Sequence, residues 1–512
     1  MDTFKRKPES AMSTASPLSA CLILGIVIAF AAFQARATIR RRLLLKGPLI
    51  LAETDRKSRI QKWTANSREV LRSGYILLQK GLPLFRVTVE DGSELVILSS
   101  RYLDELKKLP DDTLSFEESL EVTTVTKYSH IGNLNSVGQR AVRSDLTPSL
   151  PRLMPAIASE ARNALQENFP QNSADWTSVD AFEAALNAIT QVSARLFVGQ
   201  QLCRDPRWLS CSKNATVLAF KSIEAIKPWP SWTRPFIHRF LPELRQLETV
   251  RLEAKELLME AAKKKQEHVG VQNKEDYLAE WVAAKNPKWS EDLAEQAALQ
   301  LDLSVVAIHT TSMALTHMLY DLATHPEYIP MLREEIKTAL AECGGEYNRD
   351  CIAKLIKTDS FMKESQRTNP PARTTFKRCV RKDVTFSDGT FLPKGTLLEI
   401  DSSVRYEDPK LWETPEQFDG LRFLRLREQT QEKSSHQFVT ANSDYLFWGL
   451  GKHACPGRFF ASNEIKTLLA MFLLEYDLSL PKGISQRPEN LGFGSNIMPN
   501  PTAQLLVRKA KA

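Results

Sequence analysis

Hydrophobic and polar positions follow three different patterns along the chain. From Leu18 to Ala35 the sequence is apolar almost without a break, and no charge occurs between Ser10 and Ala35. At a rise of about 1.5 Å per residue, this stretch nearly crosses a hydrocarbon core of about 30 Å. From Arg59 to Gln79, and again over most of 150–370, apolar residues recur with the helical period. The runs Leu84–Val89 and Glu94–Leu98 read as strands joined by the turn Glu90-Asp91-Gly92-Ser93. Residues 376–400 read as strands around Ser387-Asp388-Gly389-Thr390 and Pro393-Lys394-Gly395. Loops fill 401–450, a helix follows from Pro456 to about Tyr476, and short strands close the chain. These elements predict a mainly α fold with a small β portion, one large domain behind a single N-terminal transmembrane helix.

Charge sets the orientation of that span. Lys5, Arg6 and Lys7 precede it, and the denser cluster Arg36, Arg40, Arg41, Arg42 and Lys46 follows it. Basic residues stay on the cytoplasmic side, so the body is expected in the cytosol. The expected boundaries are a lumenal tail at 1–17, the anchor at 18–35, a basic linker at 36–58 and the catalytic body at 59–512. A cleaved signal peptide is the other reading, because Ala35-Arg36-Ala37 weakly resembles a cleavage site. The cysteines speak against export: there are seven, sparse and odd in number, with no C-x-x-C pair. Over 512 residues, 43% hydrophobic and 25% charged composition excludes a disordered or polytopic chain. A net charge of +7 is too mild to demand nucleic acid.

The chemistry concentrates in Trp448-Gly449-Leu450-Gly451-Lys452-His453-Ala454-Cys455-Pro456-Gly457-Arg458. Glycines bend the chain around Cys455, and an apolar helix opens just after it. A helix N-terminus favours a thiolate, which makes Cys455 a candidate ligand or nucleophile. A buried, inert cysteine in a glycine-rich turn is the plainer alternative. The segment resembles the haem-binding loop of the cytochrome P450 family, F-G-x-G-x-R-x-C-x-G. Two positions depart from it: Trp448 stands where Phe is usual, and His453 where Arg contacts a haem propionate.

Further matches follow in the family's order. Glu364-Ser365-Gln366-Arg367 resembles E-x-x-R, and Arg422 lies where the family places a second arginine. The resemblance implies a buried triad of Glu364, Arg367 and Arg422. Ala307-Ile308-His309-Thr310-Thr311, within a helical pattern from about Ser290 to Thr324, resembles the oxygen-activating helix. Thr310 then takes the place of the proton-relay threonine, while His309 replaces the usual acid and is a second relay candidate. A threonine bonded back to its own helix and a satisfied core histidine are the plainer readings. Arg143, in a helix resembling W-x-x-x-R with Gln139 for Trp, and Arg378 are candidate propionate contacts.

The resemblance implies haem b with Cys455 as axial thiolate, and monooxygenase activity. Electrons would come from NADPH-cytochrome P450 reductase, with cytochrome b5 as a second donor; Lys452 and Arg458 could dock the reductase. The expected site is the endoplasmic reticulum membrane, with a cytosolic catalytic domain. The substrate would be a hydrophobic small molecule, by analogy with fungal secondary-metabolism members a terpenoid or meroterpenoid. Its pocket would draw on 370–374 and Gly492-Phe493-Gly494. The rival readings are an isomerase or peroxide-using enzyme on an oxidised lipid, an oxidase of a polyketide or indole alkaloid, a non-enzymatic haem or lipid binder, and a cysteine-nucleophile hydrolase.

Overall fold

The computed structural model describes residues 43–131, 136–172, 174–267, 276–285, 292–430 and 434–511, together with Gly25, Arg36 and 39–41. The span expected at 18–35 lies outside these residues, Gly25 excepted. Helix α1 (Arg56–Gln79) starts three residues before the first periodic position, because the Asp55 side chain accepts from the Ser58 N–H at 3.0 Å. Strands β1 (Leu84–Thr88) and β2 (Glu94–Leu98) pair antiparallel in the register Leu84↔Leu98.

Most of the chain then leaves the sheet. After β3 (Leu114–Ser115) come α2 (Thr147–Asn168), β4 (Thr177–Asp180), α3 (Ala181–Phe197), α4 (Pro206–Ile226) and α5 (Pro242–Glu267). Helix α6 (Leu293–Thr324) runs for 32 residues. It opens where Asp292 accepts from the N–H groups of Ala294 and Glu295, both at 3.1 Å, and it stops before Pro326. Its buried residues lie on nearly every side, from Gln296 and Leu299 to Tyr320 and Leu322. It is long and apolar enough to cross a membrane, yet it packs in the protein core against α3, α4 and α5.

Helices α7 (Ile329–Glu342) and α8 (Ile356–Thr368) follow, and the chain returns to the sheet as β5 (Thr374–Val380). Next come the small hairpin β6 (Val384–Thr385) and β7 (Phe391–Leu392), and then β8 (Leu397–Asp401). The five-stranded sheet has the order β1-β2-β8-β5-β3, with β2 and β8 parallel. A parallel pair needs a crossover, and here the helical body supplies it. Helix α9 (Arg458–Glu475) leaves the cysteine loop directly and is buried along most of its length. The chain ends in β9 (Tyr476–Ser479), the hairpin β10 (Leu491–Phe493) and β11 (Asn496–Met498), and β12 (Gln504–Lys509). The predicted balance of helix and strand is therefore observed.

Candidate active site at the cysteine loop

The loop is closed by its own backbone. Gly449 donates to the Leu446 carbonyl at 2.9 Å, Ala454 to Gly451 at 3.0 Å, and Cys455 to Trp448 at 2.7 Å. Gly449 takes φ +77°, and a Cβ there would meet the His453 carbonyl oxygen at 3.2 Å, so the turn needs glycine. Burial raises the Cys455 pKa. The N–H groups of Gly457 and Arg458, with the charges of Arg458 and Arg143, pull against that shift and favour the thiolate. Cys455 lies deep in the molecule and still keeps partial exposure, which places its sulfur against an internal space.

The facing wall is α6. Midway along this buried helix, Val306 and Thr310 are exposed and Ala307, Met313 and Ala314 half-exposed. Positions i, i+4 and i+7 or i+8 share one face, so an open stripe runs along a core helix. Thr310, Ala314, Pro371 and Phe447 line one small cavity, with room for about one water. Phe447, the residue before the cysteine loop, is part of that lining. His309 turns elsewhere. Its Nε2 lies 3.3 Å from the Lys213 carbonyl of α4, and burial lowers its pKa. Thr310 Oγ1 donates back to the Val306 carbonyl at 2.8 Å, as a helical threonine does.

Three expected side chains gather beside the loop. Arg143, in a π-helical turn at Ala141–Leu146, donates to the Lys452 carbonyl at 2.8 Å. Arg378 is buried, stacks on Phe376 at 4.1 Å and Phe116 at 5.4 Å, and donates to the Lys377 carbonyl at 2.7 Å. No carboxylate among the described residues forms an ion pair with it, and burial lowers its pKa to about 10. His453 lies 2.9 Å from Asp111 and 5.3 Å from the Phe116 ring. Burial lowers the His453 pKa, with Asp111 acting against that shift. Trp448 braces the loop, its indole N–H donating to the Phe438 carbonyl at 2.7 Å. Phe116, which opens a short helix, and Asp111, in the polar turn before it, carried no sequence signal. Gly492-Phe493-Gly494 lies in the β10–β11 hairpin, which packs against α1 and has Pro371 of the cavity lining as a partner, its Ile497 N–H donating to the Pro371 carbonyl at 2.9 Å.

These residues suit a dianionic, flat, apolar cofactor. The loop holds a deep thiol, α6 offers an open apolar stripe, and a buried guanidinium lacks an ion-pair partner among the described residues, which a carboxylate would supply. The triad beneath them is complete. Glu364 accepts from Arg367 at 2.8 and 2.9 Å and from Arg422 at 3.1 Å, with all three side chains buried.

The Cytochrome P450 family model matches residues 121–507. Among curated proteins, cytochrome P450 monooxygenase AN1598 of Emericella nidulans is 36% identical over 435 residues, 83% of this chain and 80% of that protein. Cytochrome P450 monooxygenase ntnM of Nectria sp. is 34% identical, covering 92% of this chain and 90% of its own length. Cytochrome P450 monooxygenase paxP of Penicillium paxilli is 33% identical, covering 83% and 82%. The fold resembles that of retinoic acid bound cyanobacterial CYP120A1, with a TM-score of 0.63 at 18% identity, over 85% of this chain and 94% of that one. A match spanning well over half of the chain, with relatives aligned over most of their own length, makes this protein a member of the cytochrome P450 family, a haem-thiolate monooxygenase.

Proposed function

We propose that Cys455 is the axial thiolate ligand of haem b and that Arg378, Arg143 and His453 meet its propionates. The chain would insert one oxygen atom from O2 into a lipophilic terpenoid or meroterpenoid intermediate of a fungal secondary-metabolite pathway. The observation that carries this reading is buried Arg378, beside the cysteine loop and without an ion-pair partner among the described residues. When bound, the haem supplies the oxygen chemistry, to which a thiolate contributes electron density. The chain's own residues do the rest. The N–H groups of Gly457 and Arg458 steady the sulfur's charge. Val306, Ala307 and Ala314 offer an apolar wall that excludes water from a hydrocarbon substrate. Thr310 places a hydroxyl in that wall for proton handling.

Electrons would arrive from NADPH-cytochrome P450 reductase, or from cytochrome b5, at the face carrying Lys452 and Arg458. The anchor at 18–35 would hold the protein on the endoplasmic reticulum. Exposed Trp229, Trp232 and Phe236 support a membrane-facing side. Beside them a space of about 440 Å³ is bordered by Trp229 and by Arg41 and Leu45 of the segment after the anchor. The fungal relatives support the pathway assignment. Deleting the gene in the producing organism tests it. A lipophilic precursor should accumulate, and microsomes carrying the protein should oxidise it only when given NADPH. Accumulation of a polar precursor, or conversion without NADPH, would overturn the proposal.

A further inference from the structure

The α6 cavity holds two polar groups that the site described above does not use. His317, two turns beyond Thr310 on α6, and Gln366 of α8 are both 3% exposed and both line this cavity. Arg487 donates to His317 Nδ1 at 2.8 Å. A guanidinium only donates, so Nδ1 accepts and the ring proton sits on Nε2. That Nε2 has no partner among the described residues. Burial holds the imidazole neutral, well below its ordinary pKa. Gln366 is fixed in a similar way. Its Oε1 lies 2.7 Å from the Tyr445 hydroxyl, which leaves Nε2 without a partner.

The ring cannot readily turn. Asp321 binds Arg487 and Ser365, Arg487 also donates to Asn490 at 2.9 Å, and Asn490 donates to Asn369 at 2.8 Å. This network ties α6, α8 and the segment before β10 around His317. It is built to aim one N–H into the cavity and then leave it unsatisfied. An unmet buried donor costs about 1–3 kcal/mol. A water occupies about 30 Å³ and commonly bridges such groups. Thr310 spends its own proton on the Val306 carbonyl, so its oxygen is free to accept.

We propose that His317 and Gln366 are positioning residues that hold a buried water in hydrogen-bonding contact with Thr310, giving the threonine a proton-bearing neighbour. The water accepts from His317 Nε2 and donates to Thr310 Oγ1. The same water accepts from Gln366 Nε2 with its second lone pair. The family's usual acid beside the threonine is replaced here by His309, whose ring is committed to the α4 backbone. The water site supplies the polar neighbour that is thereby missing. This inference rests on the role proposed for Thr310.

The test uses the full-length haem-loaded protein. A high-resolution crystal structure should show an ordered water within hydrogen-bond reach of His317 Nε2, lost in His317→Phe. A dry cavity would overturn the proposal. In solution, His317→Phe should lower the coupling of NADPH use to product several-fold and change its solvent isotope effect. His317→Gln, which keeps an N–H near the Nε2 position, should restore both. Coupling in His317→Phe equal to the parent would also overturn the proposal. If His317→Phe does not fold, Gln366→Leu takes its place: lowered coupling supports the water site, and coupling equal to the parent overturns it. Unchanged coupling in Thr310→Ala would instead remove the threonine reading, and the crystallographic water would still decide this one.

Discussion

Glu364 has no exposed surface and answers two arginines at once. Removing it leaves Arg367 and Arg422 buried without their charge partner. Breaking such a buried pair costs about 3–5 kcal/mol. Glu364→Ala should therefore lower the thermal unfolding midpoint sharply and reduce recovery of haem-loaded protein; a midpoint equal to the parent would contradict the triad's role. Glu464 behaves differently. It is buried on α9 with one hydrogen bond, from Ser193 at 2.8 Å, and burial raises its pKa from 4.5 to about 8. Between those two values the unfolded chain has released a proton that the folded chain keeps. Stability from this residue is full below pH 4.5 and falls as pH rises towards 8. Glu464→Gln should remove that decline, an effect on the order of a few kcal/mol. Unfolding midpoints of variant and parent measured across this pH range should diverge as pH rises, and parallel curves would count against the carboxyl's burial.

At the scale of elements, the cysteine loop depends on the helix behind it. Arg333 of α7 donates to the Leu473 carbonyl at 2.6 Å and the Tyr476 carbonyl at 2.7 Å, closing the C-terminal end of α9. Charge-assisted bonds of this kind contribute about 1.5–3 kcal/mol each. Arg333→Met should lower the unfolding midpoint while leaving the haem spectrum of the folded fraction unchanged, and a changed spectrum would show that the end of α9 reaches the site. The central helix also shows what local spacing reveals. Thr310 was legible because its neighbours Ala307 to Thr311 form a compact pattern on a predicted helix. The pairing of Glu364 with Arg367 was legible for the same reason, since i and i+3 share a face. His309 was expected beside Thr310, but successive helical residues are rotated by about 100°, and this rotation turns its ring to α4. His317 and Gln366 gave no signal, because their juxtaposition comes from packing α8 on α6.

For the whole molecule, the sheet joins β2 to β8, segments separated in sequence by the helical body. Asp111 and Phe116 come from that N-terminal portion, yet they contact His453 and Arg378 near the other end of the chain. Such long-range meetings have no local pattern, so the rim beside the cysteine loop was only half legible, through its arginines. The proposed N-terminal anchor is tested at this scale. Removing residues 1–35 should shift the protein from the membrane fraction towards the soluble fraction with its haem spectrum intact. Unchanged membrane retention would shift the anchoring role to the exposed face around Trp229 and Trp232.

All of this depends on the Cys455 sulfur binding iron. The most direct measurement is the absorption spectrum of the reduced, carbon-monoxide-bound protein, compared between the parent, Cys455→Ala and Cys455→His. The parent should show the long-wavelength Soret band of a thiolate-ligated haem, Cys455→Ala should lose it, and Cys455→His should move it to shorter wavelength. A parent without that band, or a Cys455→Ala variant that keeps it, would contradict the account.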